Sequence, residues 1–512
     1  MRDVSEGKQG LSIKRQVWGA LLFLTAVAAP GQLSAGASQT ALIHDIVYAG
    51  ARAIDPETGL DAIRNIAVDG DRIVAVSEAP LKGRRTIDAR GLVAAPGFID
   101  IHSHATTREA AGYQAKDGVT TRLELEIGTW PVSEWYRAKQ GRELLNYGTS
   151  VGHTAVRYFI QKGEGAAGLA ALRDPMEKFG AKEAGGPLSG AATLRLSALL
   201  EQGLGEGAIG IGSGTQYAPG ISRREMLDVT AIAARTATCL FTHIRYGSLV
   251  EPDSAFEAVQ ESIANAAATG ACIHVAHINS MAMRDAPFMA ALIADARRRG
   301  IDITTETYPW GGSVDAVRSH FFDPGWEARW GVAVGDLQSR ATGKRLTQAE
   351  FDALRAGTAD DGVIMHMNSE ATIAALLRDR SVMIASDGGR IEGANGHPRS
   401  AGSFARVLGH YVRETKTIDL AEALRKITLM PAQRLEAFVP AMKRKGRLQP
   451  GMDADIVLFD PRTVGTRATY GDAARYSDGF RYVMVNGVLV VDRGKLADAV
   501  SPGRPIFSKV RP

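Results

Sequence analysis

This 512-residue sequence has little net charge and few cysteines. Lys and Arg number 60 and Asp and Glu number 56, so the formal net charge is only +4. Without a strong excess of positive charge, the chain has no broad positive electrostatic field to attract nucleic acid or an acidic membrane surface. The two cysteines, Cys239 and Cys272, are too few for a disulfide framework, and both occur in apolar, strand-like runs. We therefore predict no nucleic-acid partner and two buried free thiols.

Long apolar runs are also missing. Hydrophobic residues make up 45% and charged residues 23% of the chain, a balance that excludes both a polytopic membrane protein and a disordered one. The apolar run at 17–29 is shorter than the roughly 18–20 residues that cross a bilayer as a helix. It follows a basic segment and precedes an A-x-A-like site at 35–37. We predict a cleavable signal peptide at 1–37, a periplasmic or secreted location, and no stable membrane insertion after cleavage.

The remaining sequence has two kinds of pattern. Length alone allows about three domains, although one large barrel would account for most of it. Residues 38–95 and 438–500 alternate short β-like runs with turn residues, which predicts a small β-sandwich domain built from both ends of the chain. Residues 96–437 alternate β-branched and helical stretches, the pattern of an α/β protein with a (β/α)8 TIM barrel. The stretch at about 310–380 is too long for an ordinary connection and is predicted to cap the barrel. The predicted barrel strands are 98–104, 118–126, 149–157, 207–214, 238–245, 272–278, 302–309 and 381–388.

Histidines and an aspartate at the predicted strand ends form a candidate metal site. His102 and His104 are two residues apart on one strand, so their side chains leave the same face. The carboxyl ends of barrel strands converge on one rim, which also receives His243, His277 and Asp387. Imidazole and carboxylate ligands without cysteine are typical of a catalytic zinc or a similar divalent ion. We therefore expect one or two divalent ions, with zinc as the metal.

Two ions need a shared ligand, and the second strand offers two carboxylates for that role. Glu124 and Glu126 have the same strand parity, and a carboxylate inside a barrel is costly unless it is paired or binds a metal. Glu126 lies nearer to the strand end, where the other ligands gather. We favour Glu126 as the bridging ligand, with Glu124 as the alternative.

Several motifs occur together along the chain: PGFIDIHSH at 96–104, GVTT at 118–121, G-H-x-x-x-R on the expected third strand at 152–157, GAIGIGSG at 207–214, H-x-R at 243–245, Y-P at 308–309, SDG at 386–388 and HPR at 397–399. With them the chain resembles the amidohydrolase superfamily and, more closely, the N-acyl-D-amino-acid deacylase (D-aminoacylase) family. The similarity extends from about residue 43 to 495. It implies that His102, His104 and Asp387 hold one ion, and that His243 and His277 hold the other.

Two positions depart from the family pattern. Many family members place a Cys just before the Gly that ends the second strand, where this chain has Ile127, which cannot bind a metal. The family's usual Lys, two residues after the metal-binding His of strand six, is replaced here by Asn279, a neutral amide. Recognition of a substrate carboxylate then falls to one of four arginines, at 157, 245, 390 and 399. The predicted substrate-binding residues are Arg157, Arg245, Asn279, Tyr308 and Arg399.

The predicted function is metal-dependent hydrolysis of linear amide bonds, and the resemblance implies N-acyl-D-amino acids as substrates. Asp387 is the predicted general base and then acid. A cyclic-amide hydrolase of the hydantoinase or dihydroorotase kind is the alternative among enzymes, but such enzymes usually carry a carboxylated Lys on strand four, which 207–214 lacks. A binding protein without turnover is the other alternative, although it has no need of an open metal centre. The sequence leaves open the acyl group, the side chain and chirality of the substrate, and the formation of homo-oligomers.

Overall fold

The computed structural model describes residues 42–105, 107–162, 186–357, 362–389, 391 and 396–510. The predicted signal peptide at 1–37 and Arg390 lie outside the described residues. The strands and helices all belong to one unit, Ile43–Pro512. Among the described residues, no helix is both long enough and apolar enough to cross a bilayer.

Strands and helices alternate through most of the chain. The strands are β1 (Ile43–Asp55), β2 (Leu60–Asp69), β3 (Arg72–Ser77), β4 (Lys82–Asp88), β5 (Val93–Pro96), β6 (Phe98–Asp100), β7 (Val119–Thr129), β8 (Asn146–Gly152), β9 (Ile211–Gly214), β10 (Cys239–His243), β11 (Cys272–Val275), β12 (Ile303–Thr307), β13 (Gly312–Ala316), β14 (Leu337–Ser339), β15 (Gly362–His366), β16 (Val382–Ile384), β17 (Ile456–Phe459), β18 (Phe480–Val485), β19 (Val488–Asp492) and β20 (Lys495–Leu496). The α-helices are α1 (Arg108–Ala115), α2 (Val132–Lys139), α3 (His153–Lys162), α4 (Ala191–Gly205), α5 (Arg223–Arg235), α6 (Ala255–Thr269), α7 (Ile278–Ala282), α8 (Ala286–Arg298), α9 (Trp326–Trp330), α10 (Gln348–Ala356), α11 (Glu370–Arg378), α12 (Arg399–Arg406), α13 (Leu420–Ile427) and α14 (Leu429–Leu435).

The barrel consists of eight parallel strands in the order β16-β12-β11-β10-β9-β8-β7-β6. Its strands are almost completely buried, as expected for a parallel sheet that helices cover on one face and packed side chains fill on the other. Each predicted barrel strand overlaps one of these eight strands, so the predicted (β/α)8 barrel is confirmed.

The third predicted strand, 149–157, differs in its second half. Strand β8 ends at Gly152 and helix α3 begins at His153, so the G-H-x-x-x-R motif enters a helix. His153 and Arg157 are four residues apart, which places both on one helix face, where each contacts the carboxylate of Glu225. The prediction of a strand was therefore wrong for residues 153–157, which begin helix α3.

The barrel closes between its first and last strands. Ser103 and Gly388 form a parallel bridge, the amide of Asp387 donates to the carbonyl of His102 at 2.9 Å, and the amide of His104 donates to Gly388 at 2.7 Å. Below them, the Ser386 hydroxyl and amide both donate to the carboxylate of Asp100. The seam therefore holds the ends of β6 and β16 in a fixed register.

The two ends of the chain build a second, nine-stranded sheet. Its order is β20-β19-β18-β17-β5-β1-β2-β3, with β4 beside β1. The antiparallel pair β5–β17 joins the N-terminal and C-terminal segments, with Pro96 opposite Ile456. This sheet corresponds to the predicted β-sandwich, while the exact domain boundaries at 38–95, 96–437 and 438–500 stay predictions.

The stretch at 310–380 contains its own small sheet, β13-β15-β14, and the helices α9 to α11. Much of it packs around an aromatic cluster in which the rings of Phe322, Trp326 and Phe351 lie 5.2 to 5.9 Å apart. The cluster gives the insertion a hydrophobic core of its own.

Cys239 and Cys272 form a disulfide, which corrects the prediction of two free thiols. The cysteines are the first residues of β10 and β11, and the register of these parallel strands places them directly opposite each other. Sequence spacing carried no sign of this pairing, because it depends on the register of two strands that are 33 residues apart.

The junction between barrel and terminal sheet generates a test of stability. The ring of Phe98 is fully buried between Phe404 and Phe480, at centroid distances of 5.8 and 6.0 Å. We expect Phe98→Ala to lower the free energy of unfolding by about 3–5 kcal/mol, because it leaves a cavity at this junction. Phe288→Ala removes the same ring from a position that is 60% exposed, and we expect a change within about 0.5 kcal/mol. Urea denaturation followed by fluorescence compares them, and equal midpoints would contradict this role of Phe98.

Candidate metal centre

Six side chains, five of them buried and that of His104 half-buried, meet at the carboxyl ends of five barrel strands. His102 and His104 follow β6, Glu126 lies near the end of β7, His243 ends β10, His277 follows β11 and Asp387 follows β16. This is the rim where the sequence places them, and active sites of such barrels form there. We call these six residues the candidate metal centre.

One half of the centre, which we call the first half, consists of His102, His104 and Asp387. The two imidazole Nε2 atoms lie 3.1 Å apart, and Asp387 Oδ1 lies 3.4 Å from His102 Nε2 and 3.5 Å from His104 Nε2. Glu126 Oε2 lies 3.2 Å from each of the same two nitrogens. Four donor atoms therefore surround one point.

The second half consists of His243 and His277, which lie on the other side of Glu126. Oε1 of Glu126 is 3.0 Å from His243 Nδ1 and 2.6 Å from His277 Nε2. The two oxygens of Glu126 therefore face different halves of the centre. Glu124 does not lie between the halves: its Oε2 contacts His104 Nδ1 at 2.7 Å, on the side of that ring away from Glu126.

The electrostatics of the centre fit a divalent cation. Burial opposes the charge of Glu126, but His102 and His277 hold the pKa of its carboxyl well below the usual range. Burial likewise opposes the charge of Asp387, but Arg399 and His102 hold its pKa well below the usual range. Two ionised carboxylates and four imidazoles match the donor chemistry of zinc and similar ions. Donor atoms lie within 4.8 Å of one another in two overlapping sets, which are His102, His104 and Asp387, and His102, Glu126 and His277.

Two residues of the centre have a strained backbone. His277 and Asp387 adopt φ angles of +26° and +51°, which residues other than glycine rarely do. Such strain persists where surrounding interactions impose it, and it is concentrated at functional sites. Here the barrel seam holds Asp387, and Glu306 Oε1 accepts from the His277 amide at 3.3 Å.

Arg399 and Tyr308, two of the predicted substrate-binding residues, lie beside Asp387. Arg399 Nη1 donates to Asp387 Oδ2 at 2.6 Å, and its guanidinium carbon lies 5.3 Å from the centroid of the Tyr308 ring. The Tyr308 hydroxyl donates to the carbonyl of Gly312 at 2.9 Å. This group places a cation next to the outer oxygen of Asp387.

The other three predicted substrate-binding residues, Arg157, Arg245 and Asn279, have protein partners away from the centre, and their contact with substrate stays a prediction. Arg157 binds Glu225 within the fold, and Arg245 makes two hydrogen bonds of 2.8 Å to Glu261. Both guanidinium groups are therefore neutralised by buried or half-buried carboxylates. Asn279 is fully buried, and its amide pairs with the backbone of Tyr308.

Sequence reasoning missed four residues that contact the centre. Glu306 Oε1 lies 2.5 Å from His102 Nδ1, Gln216 Oε1 lies 2.8 Å from His243 Nε2, and Ser280 Oγ lies 3.0 Å from His277 Nδ1. Glu306 carried a signal, because it is a carboxylate inside a predicted barrel strand, like Glu124 and Glu126. Gln216 and Ser280 carried none, since neutral polar residues just after a strand are common.

The fourth missed residue, Tyr217, links the centre to the insertion. Its ring lies 4.6 Å from that of His243 and 5.5 Å from that of Phe321, which belongs to the stretch at 310–380. Burial and the charge of Glu126 raise the pKa of the Tyr217 hydroxyl well above its usual range, so the neutral phenol faces the centre.

Comparison with known proteins gives a consistent family assignment. A family model described as "Amidohydrolase family" matches residues 85–272 and 276–491. An N-acyl-D-glutamate deacylase of Alcaligenes xylosoxydans xylosoxydans is 28% identical over 513 residues, covering 91% of this chain and 99% of the relative. A D-aminoacylase of the same organism is 25% identical over 492 residues, covering 87% and 94%.

Solved structures show the same relationship. The crystal structure of N-acyl-D-glutamate deacylase from Bordetella bronchiseptica, complexed with zinc and a phosphonate mimic of the tetrahedral intermediate, has a TM-score of 0.75 and 25% identity, covering 91% of this chain and all of that chain. L-hydantoinase from Arthrobacter aurescens has a TM-score of 0.59 with 15% identity, covering 91% of this chain and all of that chain, a likeness of fold alone.

The packing of Gly212 against β7 generates a test of the centre. A Cβ at Gly212 would lie 2.5 Å from the carbonyl oxygen of Leu125 and 2.7 Å from that of Glu126, so the backbone that carries Glu126 has to move. We expect Gly212→Ala to lower metal content and activity by at least about tenfold. Gly205→Ala, at a helical position with nothing within 4 Å, is the matched control and should behave as wild type. Metal analysis after gel filtration measures this, and full metal content in Gly212→Ala would contradict the argument.

Proposed function

The chain belongs to the amidohydrolase family, and from that premise we propose that it is a metal-dependent hydrolase of linear amide bonds that acts on N-acyl-D-amino acids. The observation that carries the proposal is the position of Glu126, whose two oxygens face two separate sets of imidazoles. A carboxylate shared in this way is what two neighbouring cations require. The N-acyl-D-glutamate deacylase and D-aminoacylase relatives, which match nearly the full chain, support the substrate class.

The proposed ligands are the six residues of the candidate metal centre, and the proposed metal is zinc. His and carboxylate donors suit zinc, and a structural relative was crystallised with that ion. When bound, a divalent ion polarises an amide carbonyl and lowers the pKa of water towards neutrality. The first half and the second half of the centre are the proposed sites of one ion each.

Asp387 is the proposed proton carrier. Its low pKa keeps the carboxylate ionised at neutral pH, so it can accept the proton of the attacking water and then donate it to the leaving nitrogen. Arg399 binds the outer oxygen of Asp387 and thereby orients the carboxylate. The neutral Tyr217 and the insertion residue Phe321 exclude bulk water from this side of the centre.

Arg399 is the proposed partner of a substrate carboxylate. Arg157 and Arg245 pair with glutamates outside the centre, whereas Arg399 pairs with Asp387 of the centre, and Asn279 is turned towards the backbone of Tyr308. Among the predicted arginines that the structure describes, Arg399 is the one that contacts the centre. A planar guanidinium suits a carboxylate, which supports an acylated amino acid as the substrate.

The two alternatives have less support. A cyclic-amide hydrolase would need its usual strand-four Lys, yet β9 and the residues before it contain none, and the likeness to L-hydantoinase is limited to the fold. A binding protein without turnover does not require an ionised Asp387 beside two imidazoles.

We also propose that the protein works in the periplasm or outside the cell. The basic and apolar segment at 1–37 supports export, and the disulfide between Cys239 and Cys272 supports an oxidising compartment. We expect the exported protein to begin at Ser38 and to show no free thiol when it is denatured without reductant. N-terminal sequencing and thiol titration of protein from a periplasmic extract check both, and an intact N-terminus with two free thiols would contradict the proposal.

The substrate class is tested with paired N-acetyl-D- and N-acetyl-L-amino acids, beside neutral amides and a hydantoin. We expect the zinc-loaded mature protein to hydrolyse the D series, and Asp387→Asn to lose about 100- to 10,000-fold in kcat, because the proton carrier is gone. Asp352→Asn, an exposed position, is the matched control and should keep full activity.

The outcomes of this panel separate the alternatives. Turnover of neutral amides without any acid would reject Arg399 as a carboxylate partner, and turnover of the hydantoin alone would favour the cyclic-amide reaction. If protein with bound metal hydrolyses none of these substrates, the enzyme proposal is rejected in favour of a binding protein.

A further inference from the structure

The disulfide between Cys239 and Cys272 lies at the end of the barrel opposite the candidate metal centre. The two cysteines are the first residues of β10 and β11, whereas His243 ends β10 and His277 follows β11. Because the two strands are parallel, their amino ends lie together at the bottom of the barrel and their carboxyl ends lie together at the rim. The disulfide therefore cross-links the two strands that carry the second half of the centre, away from the chemistry.

The two cysteines have different surroundings. Cys239 is fully buried, whereas Cys272 is half-buried beside a hydrophobic cluster below the barrel. In thiol–disulfide exchange, a thiolate reaches one sulfur and displaces the other, and access decides which sulfur is attacked. A reductant from solution therefore reaches Cys272 first, which leaves Cys239 as the departing sulfur.

Arg434, on helix α14, supplies a cation beside the buried sulfur. Its Nη2 lies 3.3 Å from Cys239 Sγ and donates to the carbonyl of Ile273 at 2.7 Å, while its Nη1 pairs with Asp302. The Arg434 side chain is only 6% exposed, so water screens its charge little. A neighbouring guanidinium stabilises a thiolate, and a more stable leaving thiolate departs faster. The position of this cation therefore favours the same direction of exchange as the unequal burial.

We propose that Cys239 and Cys272 form a thiol-exchange site, which a dithiol reductant opens by attack on Cys272 with departure of Cys239 as a thiolate beside Arg434. The first thiolate of the reductant bonds to Cys272 Sγ while the disulfide breaks, and the electron pair of the broken bond goes to Cys239. The second thiolate of the reductant then displaces Cys272 from the mixed disulfide. The reductant becomes a disulfide, and its two electrons pass to the two cysteines, which also take up the two protons once both thiolates are protonated.

Opening of this site changes the stability of the barrel while the fold persists. The cysteines are 33 residues apart, so the disulfide closes a loop that contains helix α6. Such a cross-link restricts the unfolded chain, and its loss lowers the free energy of unfolding. The backbone pairing of β10 with β11 does not depend on the sulfurs, and it holds the native register after reduction. The inference goes beyond the proposed function, because it requires neither metal nor substrate.

The first test follows reduction of the folded mature protein by dithiothreitol, with free thiols counted by mass spectrometry after acid quenching and alkylation. We expect a rate that rises in proportion to the dithiothreitol concentration and exceeds the rate of unfolding. Arg434→Leu removes the cation and should slow reduction by about five- to twentyfold, while Arg434→Lys should restore most of the rate. Arg224→Leu, at a helical side chain that is 80% exposed, is the matched control and should be reduced at the wild-type rate.

The second test determines which sulfur is attacked, a readout that a merely structural role of Arg434 would not move. The folded protein is treated briefly with glutathione, quenched in acid and digested, and the peptides are mapped by mass spectrometry. We expect glutathione on Cys272 and the free thiol on Cys239. Circular dichroism identifies any variant that fails to fold, and if Arg434→Leu does so, Arg434→Gln removes the charge with a smaller change of shape.

The third test compares melting temperatures. The reduced wild type should melt about 3–10 °C below the oxidised wild type. The double variant Cys239→Ala/Cys272→Ala should melt near the reduced protein, with or without dithiothreitol. Equal melting temperatures of the oxidised and reduced wild type would overturn the inferred effect on stability.

The remaining outcomes also decide the inference. Reduction that proceeds only at the rate of unfolding, whatever the dithiothreitol concentration, would overturn the exchange site. Glutathione on Cys239, or equal rates for the wild type and folded Arg434→Leu, would overturn the proposed direction and the role of Arg434. None of these measurements uses amide hydrolysis or bound metal, so failure of the proposed function leaves their result unchanged.

Discussion

The buried negative charge of Glu126 is the constraint around which the barrel rim is organised. Even after the protein relaxes, burying a carboxylate costs several kcal/mol, and its side chain is only 3% exposed. The compensation comes from imidazoles at the ends of β6, β10 and β11, which are adjacent to β7 in space or face it across the barrel. β6 precedes β7 directly in the chain and pairs with it, whereas β10 and β11 lie further along the chain and bring His243 and His277 to Glu126 only as the barrel forms.

Each half of the centre is carried by a pair of neighbouring strands with its own connection. The first half lies at the seam between β6 and β16, which the Ser103–Gly388 bridge and the buried Asp100 hold in register. Burial raises the pKa of Asp100 to about 6, and its hydrogen bonds from Ser386 partly offset that cost. The second half lies on β10 and β11, whose opposite ends the disulfide joins. Contacts that take no part in the chemistry therefore hold in place the strands that carry the rim residues.

The polar residues beside the rim show how similar side chains acquire different roles. Arg157, Arg245 and Arg399 all follow barrel strands, and sequence reasoning treats them alike. Arg157 and Arg245 meet glutamates on the surrounding helices and become part of the scaffold, whereas Arg399 meets Asp387 and a tyrosine ring. An arginine is always charged, so its role is decided by which anion the fold brings to it.

Sequence by itself determined the eight barrel strands, the placement of the terminal segments in a second sheet, and the types of ligand at the strand ends. These follow from local patterns: the alternation of strand and helix stretches, and the parity that puts His102 beside His104. Tertiary structure decided the pairing of Cys239 with Cys272, the end of β8 and start of α3 within G-H-x-x-x-R, and the different positions of Glu124 and Glu126. The cysteine pairing depends on the register between two strands that are distant in sequence. Strand parity does not distinguish Glu124 from Glu126, and only the greater proximity of Glu126 to the strand end favours it in the sequence. The imidazoles that the barrel places around the two carboxylates put Glu126 between the two halves and Glu124 behind His104.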